Sequence, residues 1–392
     1  SGRFRRRLAG EEALMTTSFR PFALEELLSR HEQGVDFHFA ESGVDPLGLA
    51  TLLDWAGPDS RAELERVALN YPEVNGTRHL RELIAACYPG AGPENVLVTV
   101  GAAEANYILA QTLIGAGDLI ASVRPTYLQI WGLALNNGAE VRPIDLDEEL
   151  GWAVDRDSLA RAVTAPVKMV AVVNPNNPTG AILSDSDRAA LVAAAERAGA
   201  WLLADEVYAG AERADGAVET PTFWGSTEKV IAVGSLSKAY GLPGLRTGWV
   251  VGPVALIDEL WRRHEYVAVS GTMLGQRLAE WALSPEVRPK IIARTRGLIR
   301  DGFEVVADFV ARHDNHLSVV PPAASAMCFI RTRGALPSAD LSERLRREQS
   351  VLIPPGEVFA SPGHLRFSSA LPPDYLKAGL DRFGEVLDGL GD

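Results

Sequence analysis

A lysine stands in an unusual setting in the run Gly234-Ser-Leu-Ser-Lys238-Ala-Tyr-Gly-Leu-Pro-Gly-Leu-Arg246-Thr-Gly-Trp249. It is framed by Ser235 and Ser237 and followed closely by glycine and proline. A lysine withdrawn from water gives up its charge readily, and its amine can then add to a carbonyl or take a proton. Thirty-three residues earlier, Asp205 opens Asp-Glu-Val-Tyr208. Twenty-eight residues before Asp205, Asn177 lies in Asn174-Pro-Asn-Asn-Pro-Thr-Gly180. That is seven turn-forming residues in a row, where a plain turn needs about two. Further upstream comes Gly101-Ala102-Ala103-Glu104. Small residues at a helix start leave backbone N–H groups free for an anion, typically a phosphate. Singly, these features have ordinary readings: a helix N-cap for Asp205 and a tight strand-to-helix turn at Gly101.

What joins them is their position. Short apolar runs alternate with amphipathic stretches through the middle of the chain. Strands are expected at Val96–Val100, Leu119–Val123, Glu140–Ile144, Val167–Val173, Trp201–Ala204, Val230–Val233 and Thr247–Val251, with helices at Glu104–Leu113 and Asp185–Ala198. Strands this apolar are buried on both faces, and helices between them imply βαβ units and a mainly parallel sheet. Ligands of such sheets sit at the carboxyl ends of the strands, where the four motifs fall. The last third differs. Arg277–Val310 reads as a long helical region, Met327–Arg331 and His364–Ser368 as strands, and Pro373–Leu387 as a closing helix. The α/β unit therefore precedes a smaller α+β unit, with the boundary expected near residue 275.

The motifs N-P-N-N-P-T-G, A-D-E-V-Y and S-L-S-K-A-Y-G-L-P-G-L-R-T-G-W, in this order, resemble the class I/II aminotransferases, the fold-type I enzymes of pyridoxal 5′-phosphate (PLP). The resemblance runs from about Pro21 to the C-terminus. It implies a large PLP-binding domain over 46–275, with a mainly parallel, seven-stranded-type sheet between helices. A small α+β domain over 276–392 is joined by an N-terminal segment, 21–45. It also implies that Lys238 forms the Schiff base with the cofactor and moves the proton at the substrate Cα. Asp205 pairs with the pyridinium nitrogen, and Asn177 and Tyr208 hydrogen-bond the ring oxygen. Ala102, Ala103, Ser235, Ser237 and Arg246 form the phosphate cup. Tyr127 stacks on the ring. Tyr71, in Asn70-Tyr-Pro-Glu-Val-Asn-Gly76, matches a tyrosine that reaches the phosphate of a neighbouring subunit, which implies a homodimer with shared sites. Arg366 matches the arginine that grips the substrate α-carboxylate.

Departures from the family pattern point to the pocket. Ala102-Ala103 stand where relatives often carry Ser or Thr beside glycine. Alanines fill Pro321–Ala326 where many relatives have paired glycines. Asp36-Phe-His38-Phe-Ala-Glu41-Ser-Gly43 falls where the family's N-terminal segment nears the substrate, and it makes His38 a candidate substrate-binding residue. The expected reaction is transfer of an amino group from an amino acid to a keto acid. The alternative is elimination, replacement or cyclisation of a modified amino acid, because the lysine run is also similar to that of capreomycidine synthase, a cyclase acting on a hydroxylated arginine.

Composition narrows the partners. Thirty-eight basic against 51 acidic residues give −13, which disfavours nucleic acid and, with only about twenty residues before the fold, a DNA-binding regulator. Cys87 and Cys328 form no framework of spaced cysteines, so a reducing, cytoplasmic location is expected. No apolar run reaches membrane-spanning length. The seven histidines show no i, i+4 pair, so no metal is expected. Residues 1–20 are expected to be a leader or arm, with the arginine-rich first fourteen derived from an expression vector and Met15 as the natural start.

Overall fold

The computed structural model describes residues 19–164, 166–334 and 336–390. The expected leader, apart from Phe19 and Arg20, lies outside them. Strand β1 (Phe37–His38) belongs to the N-terminal segment. Strands β2 (Val96–Thr99), β3 (Leu119–Arg124), β4 (Glu140–Asp147), β5 (Ala153–Val154), β6 (Val167–Val173), β7 (Trp201–Asp205), β8 (Val230–Ser235) and β9 (Gly248–Val251) build one sheet in the order β2-β9-β8-β7-β6-β3-β4-β5. Strands β4, β3, β6, β7 and β8 are mutually parallel, while β9 runs against both of its neighbours. The expected seven strands are all present, and the two-residue β5 adds an eighth at the edge, antiparallel to β4.

Alternation along each strand feeds two faces. Leu97, Met169, Leu203, Ile231 and Val250 pack on Ile108, Leu109 and Leu260 from the helices Gly101–Leu113 and Val254–Val267. Val170, Val172, Leu202 and Ala204 point the other way, onto Leu191, Ala194 and Ala195 of the helix Asp185–Ala198. That helix begins where the sequence predicts because the Ser184 hydroxyl accepts the Asp187 N–H, and it ends on Gly199 at φ 63°.

The C-terminal unit has strands β10 (Leu317–Val319), β11 (Met327–Thr332), β12 (Val351–Leu352) and β13 (His364–Ser368). β10, β11 and β13 form an antiparallel sheet, whereas β12 pairs in parallel with β1 and ties the N-terminal segment to this unit. The long helical region is two helices, Met273–Leu283 and Arg288–Arg312. Pro285 lies in the break and Pro289 in the first turn of the second helix, where a missing N–H costs no hydrogen bond. The second helix serves two cores. Ile291, Ile292 and Ile299 pack with Leu80, Ala232 and Val251, and Phe303, Val306 and Phe309 pack with Phe39, Phe367 and Phe383. Among the described residues no helix is long and apolar enough to cross a membrane.

One buried polar contact fixes the start of the helix Gly101–Leu113. His264, fully buried, places Nδ1 2.7 Å from Glu104 Oε1 and Nε2 3.1 Å from the Val74 carbonyl. The second Glu104 oxygen accepts the Val100 N–H at 2.5 Å. Three segments distant in sequence thus meet on one pair. Replacing His264 with alanine strips a buried carboxylate of its ring partner. We expect a loss of about 3–5 kcal/mol in denaturant unfolding.

Candidate active site

The carboxyl ends of β6, β7 and β8 converge on a cavity of about 390 Å³. Asn177 enters from the loop after β6, Asp205 is the last residue of β7, and Lys238 follows β8 by three residues. Ala102, Ala103, Tyr127, Tyr208, Ser235, Ser237, Arg246 and Arg366 also line it. The N-terminal segment closes one side. A Cβ added to Gly43 would lie 3.3 Å from the Ser237 carbonyl oxygen, which leaves little room for a side chain against the lysine turn.

Asp205 is buried. Its Oδ2 accepts from Asn106 Nδ2 at 3.2 Å and its Oδ1 from the Val207 N–H at 3.3 Å. Two neutral donors do not offset loss of water, and burial pushes the carboxyl up to about 6. The site therefore calls for a cation facing Asp205.

The anion end is built from backbone and one guanidinium. No side chain caps the helix that starts at Gly101, so its first N–H groups stay available. Gly101 has φ +76°, and an added Cβ would sit 2.5 Å from Arg246 Nη2. A Cβ on Gly248 would sit 2.5 Å from the Ala102 nitrogen. Both glycines are thus required for guanidinium and helix start to approach. Ser235 Oγ accepts the Ser237 N–H at 3.3 Å, which sets the turn that presents Lys238.

Arg366, on β13, is the largest fully buried side chain and reaches back from the C-terminal unit. Its Nη1 donates to Asn177 Oδ1 at 3.1 Å, its Nη2 donates to the Ala40 carbonyl, and its Nε has no partner. Asn177 Nδ2 in turn donates to the Tyr208 hydroxyl at 3.3 Å. Burial raises the Tyr208 phenol well above its usual range, so the hydroxyl keeps its proton.

His38 falls elsewhere, and Tyr71, expected to serve a neighbouring subunit, stands away from its own chain's cavity. His38 lies on β1 behind the wall, with its ring nitrogen facing the Ala40 N–H at 3.3 Å, and Ala40, Glu41 and Ser42 line the cavity in its place. Tyr71 is 80% exposed and lines no part of this chain's own cavity. Sequence reasoning passed over Asn106, one helical turn past the anion-binding start, and Glu25, whose Oε1 accepts the Tyr127 hydroxyl at 2.9 Å. The spacing of Asn106 from Ala102 was the available signal. Glu25 carried none, because its helix Ala23–His31 meets the site only through the fold.

The residues present fit PLP: an anion cup, a buried carboxylate and a lysine line one cavity. The fold matches known structures. A PLP-dependent aminotransferase from Streptococcus suis superposes with TM-score 0.88 at 29% identity, over 96% of this chain and 100% of that one. The PLP-dependent cyclase OrfR superposes with TM-score 0.86 at 27% identity, over the same shares. Fold and cavity define a fold-type I enzyme with PLP as its cofactor. Residues 46–383 match the family described as aminotransferase class I and II, and the chain belongs to that family. Among its relatives, capreomycidine synthase of Streptomyces vinaceus is 31% identical, over 83% of this chain and 82% of that protein. The aspartate/prephenate aminotransferase of Thermus thermophilus is 26% identical, over 88% and 92%.

The state of Asp205 is testable through pH. Its carboxyl titrates higher folded than unfolded, so it weakens the cofactor-free fold as pH rises from about 4 to about 6, and the cost persists above that. The span of about two pH units corresponds to roughly 3 kcal/mol. Thermal unfolding of the cofactor-free protein at pH 8 should occur at higher temperature in Asp205→Asn than in the wild type. Near pH 4 the two should agree. Added PLP should raise the wild-type midpoint more than that of the variant.

Proposed function

We propose that the chain transfers the amino group of an amino acid to a keto acid, with the cavity at the ends of β6, β7 and β8 as its active site. The observation that carries this reading is the convergence of Lys238, Asp205, Asn177 and Arg246 on that cavity. Bound there, the cofactor supplies an aldehyde carbon for the amino group and a protonated ring that draws electron density from Cα. The cup of Arg246, Ser235, Ser237 and the N–H groups of Ala102 and Ala103 holds the phosphate. Asp205 keeps the ring nitrogen protonated through its charge. Asn177 and Tyr208 would hydrogen-bond the ring oxygen, and Tyr127 would pack on the ring. Arg366 would bind the substrate α-carboxylate through its guanidinium. Lys238 Nζ would be the base that holds and moves the substrate Cα proton.

A second reading keeps these residues and changes the outcome to elimination, replacement or cyclisation. It is favoured by the likeness to capreomycidine synthase and to OrfR, and by Glu41, a carboxylate 3.6 Å from Lys238 Nζ that could accept a proton.

We further propose that the chain works in the cytoplasm as a homodimer. Leu69 and Tyr71 are each 80% exposed and Tyr266 is 95% exposed, an apolar display that a second copy would cover. Cys87 and Cys328 are both free thiols, in keeping with a reducing compartment.

The reading is tested as follows. The PLP-loaded protein should show a visible absorption band that an amino acid bleaches and a keto acid restores, and Lys238→Ala should lose turnover. If the band returns without a keto acid, and mass analysis finds the amino nitrogen retained in the product, the second reading holds. Arg366→Lys keeps the charge and loses the fork, so kcat/KM for the amino acid should fall roughly 30-fold, about 2 kcal/mol. Sedimentation should give twice the chain mass.

A further inference from the structure

Three carboxylates and three cations line the active-site cavity: Asp205, Glu41 and Glu25 against Lys238, Arg246 and Arg366. In the cofactor-free chain they offset one another. The Lys238 ammonium holds Glu41 below the usual carboxylate range across 3.6 Å. The balance changes under the proposed function, on which this inference rests. Arg246 is taken by the phosphate, Asp205 by the ring nitrogen and Arg366 by the substrate α-carboxylate. Lys238 is the residue engaged by the cofactor aldehyde, so its ammonium is no standing partner for Glu41. Glu41 and Glu25 are then left facing the cavity without a cation.

A second observation marks the ligand's other end. Arg366 Nε is fully buried, has no partner, and belongs to a side chain that lines the same cavity. A carboxylate of the ligand completes it. The same cavity has an apolar wall in Phe22, Leu24 and Leu28. The Phe22 ring packs edge-on against Tyr127, centroids 5.0 Å apart, and the Tyr127 hydroxyl donates to Glu25. Aromatic faces beside a carboxylate suit a guanidinium or ammonium.

We infer that Glu41, with Glu25, selects amino acids whose side chain ends in a cation carried on an apolar stem.

The test uses the PLP-loaded protein and two ligands that cannot react because they lack an α-amine. 5-Guanidinovalerate and 5-ureidovalerate have nearly the same shape, and only the first carries a positive charge. Calorimetry should find the guanidino compound bound roughly tenfold more tightly. Glu41→Gln should bring the ratio close to one, and binding of the ureido compound by the variant reports that its site is intact. Equal affinities in the wild type, or a ratio that survives both Glu41→Gln and Glu25→Gln, would overturn the inference. Failure of the proposed function reads differently: the visible band would be insensitive to every amino acid, while calorimetry would still report the preference for charge.

Discussion

Asp205 ends β7 with a strand hydrogen-bonded on either side, and burial there works against its charge. The rest of the site is organised around that tension. Asn106 and the Val207 N–H hold the carboxylate in place without neutralising it, so the opposing charge must come from the ligand. The helix that carries Asn106 also presents the anion-binding N–H groups. The position of that helix is therefore set once for both ends of the cofactor, by the buried pair of His264 and Glu104. A cavity that demands a cation at one end and an anion at the other recognises a zwitterionic ring system before any chemistry occurs.

The substrate's side of the cavity has a different origin. Arg366 comes from β13 and Glu41 from the segment after β1, and β1 is paired with β12 of the C-terminal unit. The hydrogen bonds from Arg366 to Asn177 and to the Ala40 carbonyl join these parts to the loop after β6. The helix Arg288–Arg312 runs through both cores and holds the two units in register.

Much of this was legible in the residues. Fully apolar strands such as Val167–Val173, ended by turn residues, mark both the sheet and the edge where ligands collect. Asp205 ends β7, Asn177 and Lys238 stand in the loops after β6 and β8, and Arg246 lies just before the antiparallel β9, so all four fall at one edge of the sheet. Features that depend on contacts between distant segments were not legible. The break in the long helical region is marked by Pro285, yet periodicity runs on either side and masks it. His38 is two residues from Ala40, and a strand's alternation gives no scale for how far a segment stands from a ligand. Glu25 lies on an ordinary amphipathic helix whose docking against Tyr127 is a property of the folded chain.

The parallel pairing of β1 with β12 separates two kinds of wall. The residues proposed to hold the cofactor stand on the large sheet, whereas Arg366 and Glu41 come from chain held by the other unit. Exchanging the stretch from Phe22 to Gly43 would refit the enzyme to a different side chain while leaving the reacting groups on their original mounts. The scaffold is in this sense a fixed tool with an interchangeable jaw.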